Sequence, residues 1–563
     1  MTLRAGRRFV LVDPCIHGFG GHPYSYAAEV LAAAVAGGWE GRLVTHASLP
    51  VAGMPPQWTT LPIFSRGVFT KYNAFGGLER ADAQGRDRLR MVAPWMPWRA
   101  ARRRREHVVS FAREIAPLLA ELRAGDVVLV ATATELQVLG LARAIAAARP
   151  PVGVAWHLQF HVPILRGGPA DYPAQARRLA GPRRMMLEAL EIAGPHRLAL
   201  HATTEELAAQ YGWLVGREVG VLPYPVRRGA PPDPARCRDR LTVASLGDLR
   251  AEKWSQHLAG SVAAACADPD LGSRLRFVVQ SNYGFPPHSG GPGELAVMAA
   301  RAELDRAASG GGPVELVPGP LAPADYALRL ADADVMLLAY DQDRYRARCS
   351  GVLLESLAAG AAPIVTGGGW MARQLAAPIA AHVAAVIATG REVGRMTRTL
   401  PATSRAKCRI TRTELAADVP PDTAVYAVIR GRFHAAGAAA VDEPPLRVEA
   451  DGEAATMLAA DPGGAAAVAL VPLAGATAAM TIAVASPSAA ARAIPCDVAC
   501  FVAATAPPRS AVGMVVAGPD DVPAALREIV RHADHYRASA AAHAAAVRAA
   551  SSGAAVVAAL DRT

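Results

Sequence analysis

The strongest chemical grouping in the chain is Tyr345-Arg346-Ala347-Arg348-Cys349-Ser350-Gly351-Val352-Leu353-Leu354-Glu355. A Ser-Gly pair that opens a helix presents free backbone N–H groups to an anion, with Ser350 as the N-cap. Glu355 follows one turn further in, near enough for a ribose diol. The plain alternative is a capped helix with a solvated glutamate. A second grouping, Gly247-Asp248-Leu249-Arg250-Ala251-Glu252-Lys253, follows an apolar run. Arg250 and Lys253 reaching back would neutralise a diphosphate, or else form an ordinary solvated charge run. The third is His17-Gly18-Phe19-Gly20-Gly21-His22, a tight turn or a ligand loop. Counted from Gly18, the last glycine of a dinucleotide fingerprint falls on Pro23, which disfavours an NAD-dependent oxidoreductase. No Walker A sequence is present. Trp156-His157-Leu158-Gln159-Phe160-His161 adds two imidazoles, although a lone histidine at a strand end is commonly a structural hydrogen-bonder.

Arg99 and Arg102 to Arg105, with Trp95 and Trp98 just upstream, form a basic and aromatic patch. It suits an anionic membrane surface or an anionic acceptor, or is a solvated helix start. No nucleic-acid recognition motif accompanies it, so nucleic acid is not expected as a partner.

These groups need elements to hold them at loop positions. Arg8–Asp13 has the pattern of a buried parallel strand, followed by a helix over Ser25–Val35. Further strands are expected at Arg42–Thr45, Asp126–Ala131, Val152–Trp156, Arg197–His201 and Glu218–Leu222, with helices near 107–123, 135–148, 174–193 and 204–213. Pro223-Tyr224-Pro225 and the residues to Pro234 have linker character. The alternation restarts with strands at Thr242–Leu246, Leu275–Gln280, Val314–Val317, Asp334–Ala339 and Ala362–Val365. Two doubly wound parallel sheets account for this pattern. From about 400 to 505 the helical period fades into short segments: Cys408–Leu415, Thr423–Arg430, Leu446–Ala450, Ala466–Val471, Thr481–Ala485 and Val498–Val502. They suggest a small antiparallel β-sandwich. A strand at Gly513–Val516 and a helical Val522–Leu560 then follow. The expected division is 1–228 for the first domain, 229–378 with 510–563 for the second, and 379–509 as a β-rich insertion. Aromatic platforms for carbohydrate are scarce in the insertion (Tyr426, Phe433 and Phe501), which favours a scaffold or oligomer contact.

The 563 residues contain 52% hydrophobic and 19% charged residues, which excludes a disordered or collagen-like chain. Lys and Arg exceed Asp and Glu by 59 to 49, a net charge of +10 that favours anionic partners. The seven cysteines are scattered and form no disulfide framework; Cys496-x3-Cys500 lacks zinc spacing. Apolar runs such as Phe9–Val12, Val127–Thr132 and Ala465–Leu473 are far shorter than the ~18–20 residues of a spanning helix. Arg4, Arg7 and Arg8 precede only a short apolar run, unlike a secretory signal. A cytoplasmic protein is expected, possible peripheral membrane contact included.

The segments "GFGGHPYSYAAEVLAAA", "TTEELAAQY…VLPYPV", "LGDLRAEK" and "LAYDQDRYRARCSGVLLESLAAGAAPIVTGGGWMARQL" resemble the bacterial glycosyltransferases of family 4. The resemblance spans about 1–375 and 510–563 and is most specific at 240–375. It implies the GT-B arrangement of two Rossmann-like domains, with a nucleotide diphosphate sugar on the second domain and the acceptor, a glycan or lipid-linked or surface polymer, mainly on the first. It implies a retaining, metal-independent transfer, with no cofactor. Lys253 matches the lysine on the donor diphosphate. The family's arginine after the glycine is Asp248 here, leaving Arg250 as its substitute. Ser350, Gly351 and Val352 match the phosphate cradle, Glu355 the ribose ligand, and Gly20 and Gly21 the loop that closes over the donor. The family's histidine near the reacting sugar corresponds to His161 or His157. Its sugar-facing glutamate falls on Ala347. A descendant that binds nucleotide sugars without turnover is the alternative this departure raises.

Overall fold

A computed structural model describes residues 6–19, 21–68, 97–227, 239–284, 291–367, 369–403, 406–423, 425–432, 446–450, 453–455, 457–459, 466–473, 475, 478–484, 493–502, 512–516 and 518–562. The first sheet comprises β1 (Arg8–Asp13), β2 (Glu40–His46), β3 (Trp58–Phe64), β4 (Val127–Val130), β5 (Ala155–Phe160), β6 (Leu198–Ala202) and β7 (Gly220–Val221). All seven strands run parallel in the order β3-β2-β1-β4-β5-β6-β7. Near-continuous apolar strands such as Val127–Val130 are buried on both faces, as helix-covered parallel strands must be.

Two local differences from the sequence reading matter. Pro150-Pro151 and Gly153, at φ +107°, turn the chain, so β5 starts at Ala155 rather than Val152 and runs on to Phe160. His157 therefore lies mid-strand and His161 is the first residue past its carboxyl end. Trp58–Phe64 carries Pro62, which masks a strand in sequence but is tolerated because β3 is an edge.

The second sheet has β8 (Leu241–Ser245), β9 (Leu275–Gln280), β10 (Val314–Val317), β11 (Val335–Leu338) and β12 (Ala362–Thr366). After β12 the helix Trp370–Thr389 leads into nine antiparallel strands: β13 (Arg391–Leu400), β14 (Lys407–Thr411), β15 (Val425–Arg432), β16 (Leu446–Ala450), β17 (Glu453–Ala455), β18 (Met457–Ala459), β19 (Ala466–Leu473), β20 (Ala479–Val484) and β21 (Ile494–Val502). Then β22 (Met514–Val516) returns beside β12, giving the parallel order β10-β9-β8-β11-β12-β22. The nine strands form sheets of five and four that enclose one core, including Ile410, Ile429, Val448, Met480 and Val498. The expected strand Cys408–Leu415 ends at Thr411, whose capping box with Glu414 starts a helical turn instead. The edge strand β13 is largely exposed, so it lacks the apolar pattern that would announce it. Tyr426 and Phe501 are buried against the second domain's core, so neither offers a carbohydrate platform; Phe433 lies outside the described residues.

Two doubly wound parallel sheets thus lie in two domains that contact one another. The C-terminal segment ties them together. Tyr536–Leu560 has the length and mean hydropathy (1.3) of a spanning helix, which the short apolar runs did not suggest. It is broken, however: helix Ala533–Ala550 ends at Ser551, and Ser552 caps the helix Gly553–Leu560. Val547 packs in the second domain, while Val556, Val557 and Leu560 pack with Val30 and Leu31 of the first. These four residues of the C-terminal segment are covered by protein. Gly553 lies so close to the Glu29 carbonyl that a Cβ would not fit.

Candidate functional site

The carboxyl ends of β1, β5, β8 and β11 face one interdomain crevice, the position at which open α/β sheets bind ligands. On the second domain, Ser350 is 5% exposed and its Oγ accepts from Leu353 N at 3.3 Å, capping the helix Gly351–Ala359. The N-terminal N–H groups of that helix open toward the first domain. A Cβ on Gly351 would stand 3.1 Å from the His22 ring and 3.2 Å from Tyr224 Cε1, so only glycine keeps this approach relaxed. Val352 is buried behind it. Glu355, one turn deeper, accepts a hydrogen bond from Tyr326 Oη at 2.6 Å. Burial raises its pKa, and the tyrosine and Arg227 oppose this.

Lys253 approaches the same cradle. Its Nζ lies 5.6 Å above the Tyr340 ring. A Cβ on Gly247, whose φ is +98°, would come within 2.7 Å of that Nζ. Burial, then the neighbouring Arg250, lowers the Lys253 pKa to about 8. Arg250 donates to Asp248 Oδ2 at 3.0 Å and lies 3.6 Å from Glu252. Asp248 also accepts from Asn282 Nδ2 at 2.7 Å. The Arg250 charge is therefore already partly matched, and Lys253 is the less committed cation. A pocket of about 490 Å³ opens beside Lys253, lined by Gly247, Trp254, Tyr340 and Pro519 among others. Trp254 holds φ +52°, a conformation costly for a side chain with Cβ.

From the first domain, Gly21 begins the helix Gly21–Ala36 at φ +82°, while Gly20 lies outside the described residues. His22, next along, had a sequence signal, since it directly follows the glycine pair. The residue is exposed as a whole, yet the crowded crevice and then Lys253 and Arg250 lower its pKa to about 4.

The two candidate histidines occupy different places. His157 is 2% exposed within the sheet, its Nδ1 3.0 Å from His201 Nε2, and burial lowers its pKa to about 3. It does not reach the crevice. His161 does: its Nε2–H donates to the Ala131 carbonyl at 2.6 Å, and its ring centroid lies 5.8 Å from Tyr26 and 6.0 Å from Tyr224. Burial lowers its pKa to about 4; the Ala131 bond opposes this, while Arg348 and His22 add to it. Asp13, at the end of β1, is 1% exposed and accepts from Thr132 Oγ1 at 2.9 Å and Cys15 N at 2.8 Å. Burial raises its pKa to about 6.

Ala347 is 2% exposed and packs into the first domain's core, its carbonyl accepting from Thr204 Oγ1 at 2.7 Å. Beside it, Arg373 Nε and Nη2 each donate to Glu206 at 2.7 Å, and Nη2 donates to Glu205 at 2.8 Å. These contacts clasp the domains together.

No protein-family model and no curated protein matches the chain. Solved structures that align with it include a UDP-forming trehalose-phosphate synthase from Burkholderia xenovorans, 11% identical, covering 66% of this chain and 86% of that one, at a TM-score of 0.44. Another is the trehalose-6-phosphate enzyme of E. coli bound with UDP-2-fluoro glucose, 12% identical over 65% and 86%, TM-score 0.44. A third, the synthase of Burkholderia vietnamiensis, is 15% identical over 65% and 86%, TM-score 0.42.

The basic patch lies on the helix Pro97–Ala120. Trp98 is 59% exposed; Arg102, Arg103 and Arg105 are exposed, with Arg102 paired to Glu106 at 2.8 Å. Arg99 begins the same helix, and Trp95 lies outside the described residues.

Proposed function

We propose that the chain is a retaining glycosyltransferase of family 4 type, moving a sugar from a nucleotide diphosphate sugar to a glycan or lipid-linked acceptor. The observation that carries this reading is the convergence of Lys253, His22 and the Gly351 helix N-terminus in one crevice, with Glu355 one turn deeper. In the transfer, the bond from the anomeric carbon to the diphosphate oxygen breaks and its electron pair leaves with the nucleoside diphosphate. The acceptor hydroxyl oxygen forms the new bond on the same face, and its proton passes to the departing phosphate. Lys253, Arg250 and the helix N-terminus meet the developing charge, so this reading gives a metal no role. Glu355 would take the ribose diol. His161, neutral, would lie toward the sugar as a hydrogen-bonding group. The exposed Trp98 and the basic helix around it support peripheral contact with anionic lipid.

A second reading, a nucleotide-sugar-binding protein without turnover, is favoured by Ala347, which supplies no carboxylate and is enclosed by the first domain. A thermal-shift screen with UDP, GDP, ADP, TDP and their sugar conjugates separates the cases. A ligand at ~100 times its Kd adds about 2.7 kcal/mol of stability. Binding with donor-dependent release of nucleoside diphosphate supports the transferase; binding with no release supports the second reading. No response to any nucleotide refutes both.

A further inference from the structure

The crevice holds another cavity of about 520 Å³, lined by Val162–Arg166 and Arg178 of the first domain and by Glu252, Asp343, Arg344 and Arg348 of the second. It adjoins the donor cradle. Glu252 lies within 3.6 Å of Arg250, and the Arg348 charge reaches both Lys253 and His161. A group bound here would therefore sit next to a sugar held over Lys253 and His161.

The wall is prepared for a ligand with an apolar body. Val162, Ile164 and Leu165 are buried or nearly so, and Ile164 N and Leu165 N both donate to Gln210 Oε1, at 3.0 and 3.2 Å. The rim is cationic. Glu252 is engaged with Arg250 and with Arg344, at 3.8 Å, and Arg344 also lies 3.7 Å from Asp341. Arg166 and Arg178 have no carboxylate at ion-pair distance among the described residues. Arg178 donates to the Ile164 carbonyl and to Gln175 Oε1, which aim its guanidinium without neutralising it. Burial and then Arg166 lower the Arg178 pKa, so the two guanidinium charges lie near one another. Each guanidinium carries a fixed fork of donors that matches an oxyanion, and both line the cavity.

We infer that this cavity is the acceptor site, and that the acceptor carries an oxyanion, a phosphate or a carboxylate, held between Arg166 and Arg178. The inference rests on the transferase reading. The anionic end sits at the rim, and the reacting hydroxyl points toward His161 and Arg348.

The test is calorimetric titration of the full chain with inorganic phosphate, glucose 6-phosphate, glucuronate and glucose, with and without the nucleoside diphosphate that binds best. The anionic sugars should bind and glucose should not, and the affinity should fall with added salt. Preference for glucose 6-phosphate over glucuronate identifies a phosphate, and the reverse a carboxylate. Arg166→Gln and Arg178→Gln should each weaken the anionic sugar about tenfold, the loss of one charge-assisted hydrogen bond, with nucleotide affinity unchanged. Because Arg178 also supports the Ile164 loop, the exposed Arg166 decides. Unchanged anion binding in Arg166→Gln, or glucose binding as well as glucose 6-phosphate, overturns the inference. Nucleotide binding without any anion binding overturns it and leaves the transferase reading standing. Anion binding without nucleotide binding removes the acceptor role together with that reading.

Discussion

Raising the pH from 7 to 9 should weaken nucleoside diphosphate binding about tenfold, and Lys253 alone should be responsible. In the empty site its pKa is about 8, because burial and then Arg250 disfavour its charge. It is therefore protonated in about nine molecules of ten at pH 7 and about one of ten at pH 9. A bound diphosphate supplies the missing anion and returns the pKa toward the ordinary lysine value near 10.4, so the complex stays protonated throughout. The sign follows: the bound state holds more protons than the free state above pH 8, so affinity falls as pH rises. A tenfold loss equals about 1.4 kcal/mol. The other groups around the lysine do not titrate in this window. His22 is already neutral with a pKa of about 4, Asp248 is held below its ordinary value, and the arginines stay charged. Isothermal titration in two buffers of different ionisation enthalpy should show proton uptake on binding above pH 8. Lys253→Arg should flatten the profile while keeping binding, and Lys253→Ala should flatten and weaken it. A flat wild-type profile, or a slope that survives in Lys253→Arg, would refute the assignment of Lys253 to the diphosphate.

Removing the interdomain clasp should be costly. Arg373→Met leaves the Glu206 carboxylate, 14% exposed, without its partner, and should lower stability by about 3 kcal/mol in chemical denaturation; adding Glu206→Gln should restore most of the loss, and a change below ~0.5 kcal/mol would show the clasp to be incidental. The fold should also be acid-sensitive. His107, His157 and His201 are buried, with pKa values near 4, 3 and 4 caused first by that burial. Their unfolded counterparts take a proton below pH ~6.5 while the folded ones do not, so stability should fall as pH drops from 6.5 to 4. Asp13, raised to about 6, and Glu206 and Glu355, also raised by burial, work in the opposite direction. His22 and His161, both lowered to about 4, add to the three histidines and tip the balance. Denaturation midpoints that stay level or rise on acidification would contradict this balance.

Much of the scaffold was legible because parallel strands covered on both faces need unbroken apolar runs. Leu275–Gln280 stands where its apolar run places it, and the antiparallel Leu446–Ala450 where its alternation of apolar and charged residues places it. Elements hidden from the pattern are those at edges, where burial imposes no periodicity: β3 with Pro62, and the exposed β13. The local signals of the proposed cradle, Ser350 as a helix cap and the Gly247 to Lys253 loop, are short-range and readable without a fold. What chain order could not decide is which side chains meet across 100 residues or more. Only tertiary packing sets His22 against Gly351, pairs His157 with His201 while leaving His161 in the crevice, spends part of the Arg250 charge on Asp248, and buries Ala347 under Thr204. The physical reason is that backbone propensity and hydrophobic period act within a few residues, whereas desolvation and charge pairing depend on neighbours that the chain brings together only when it has folded.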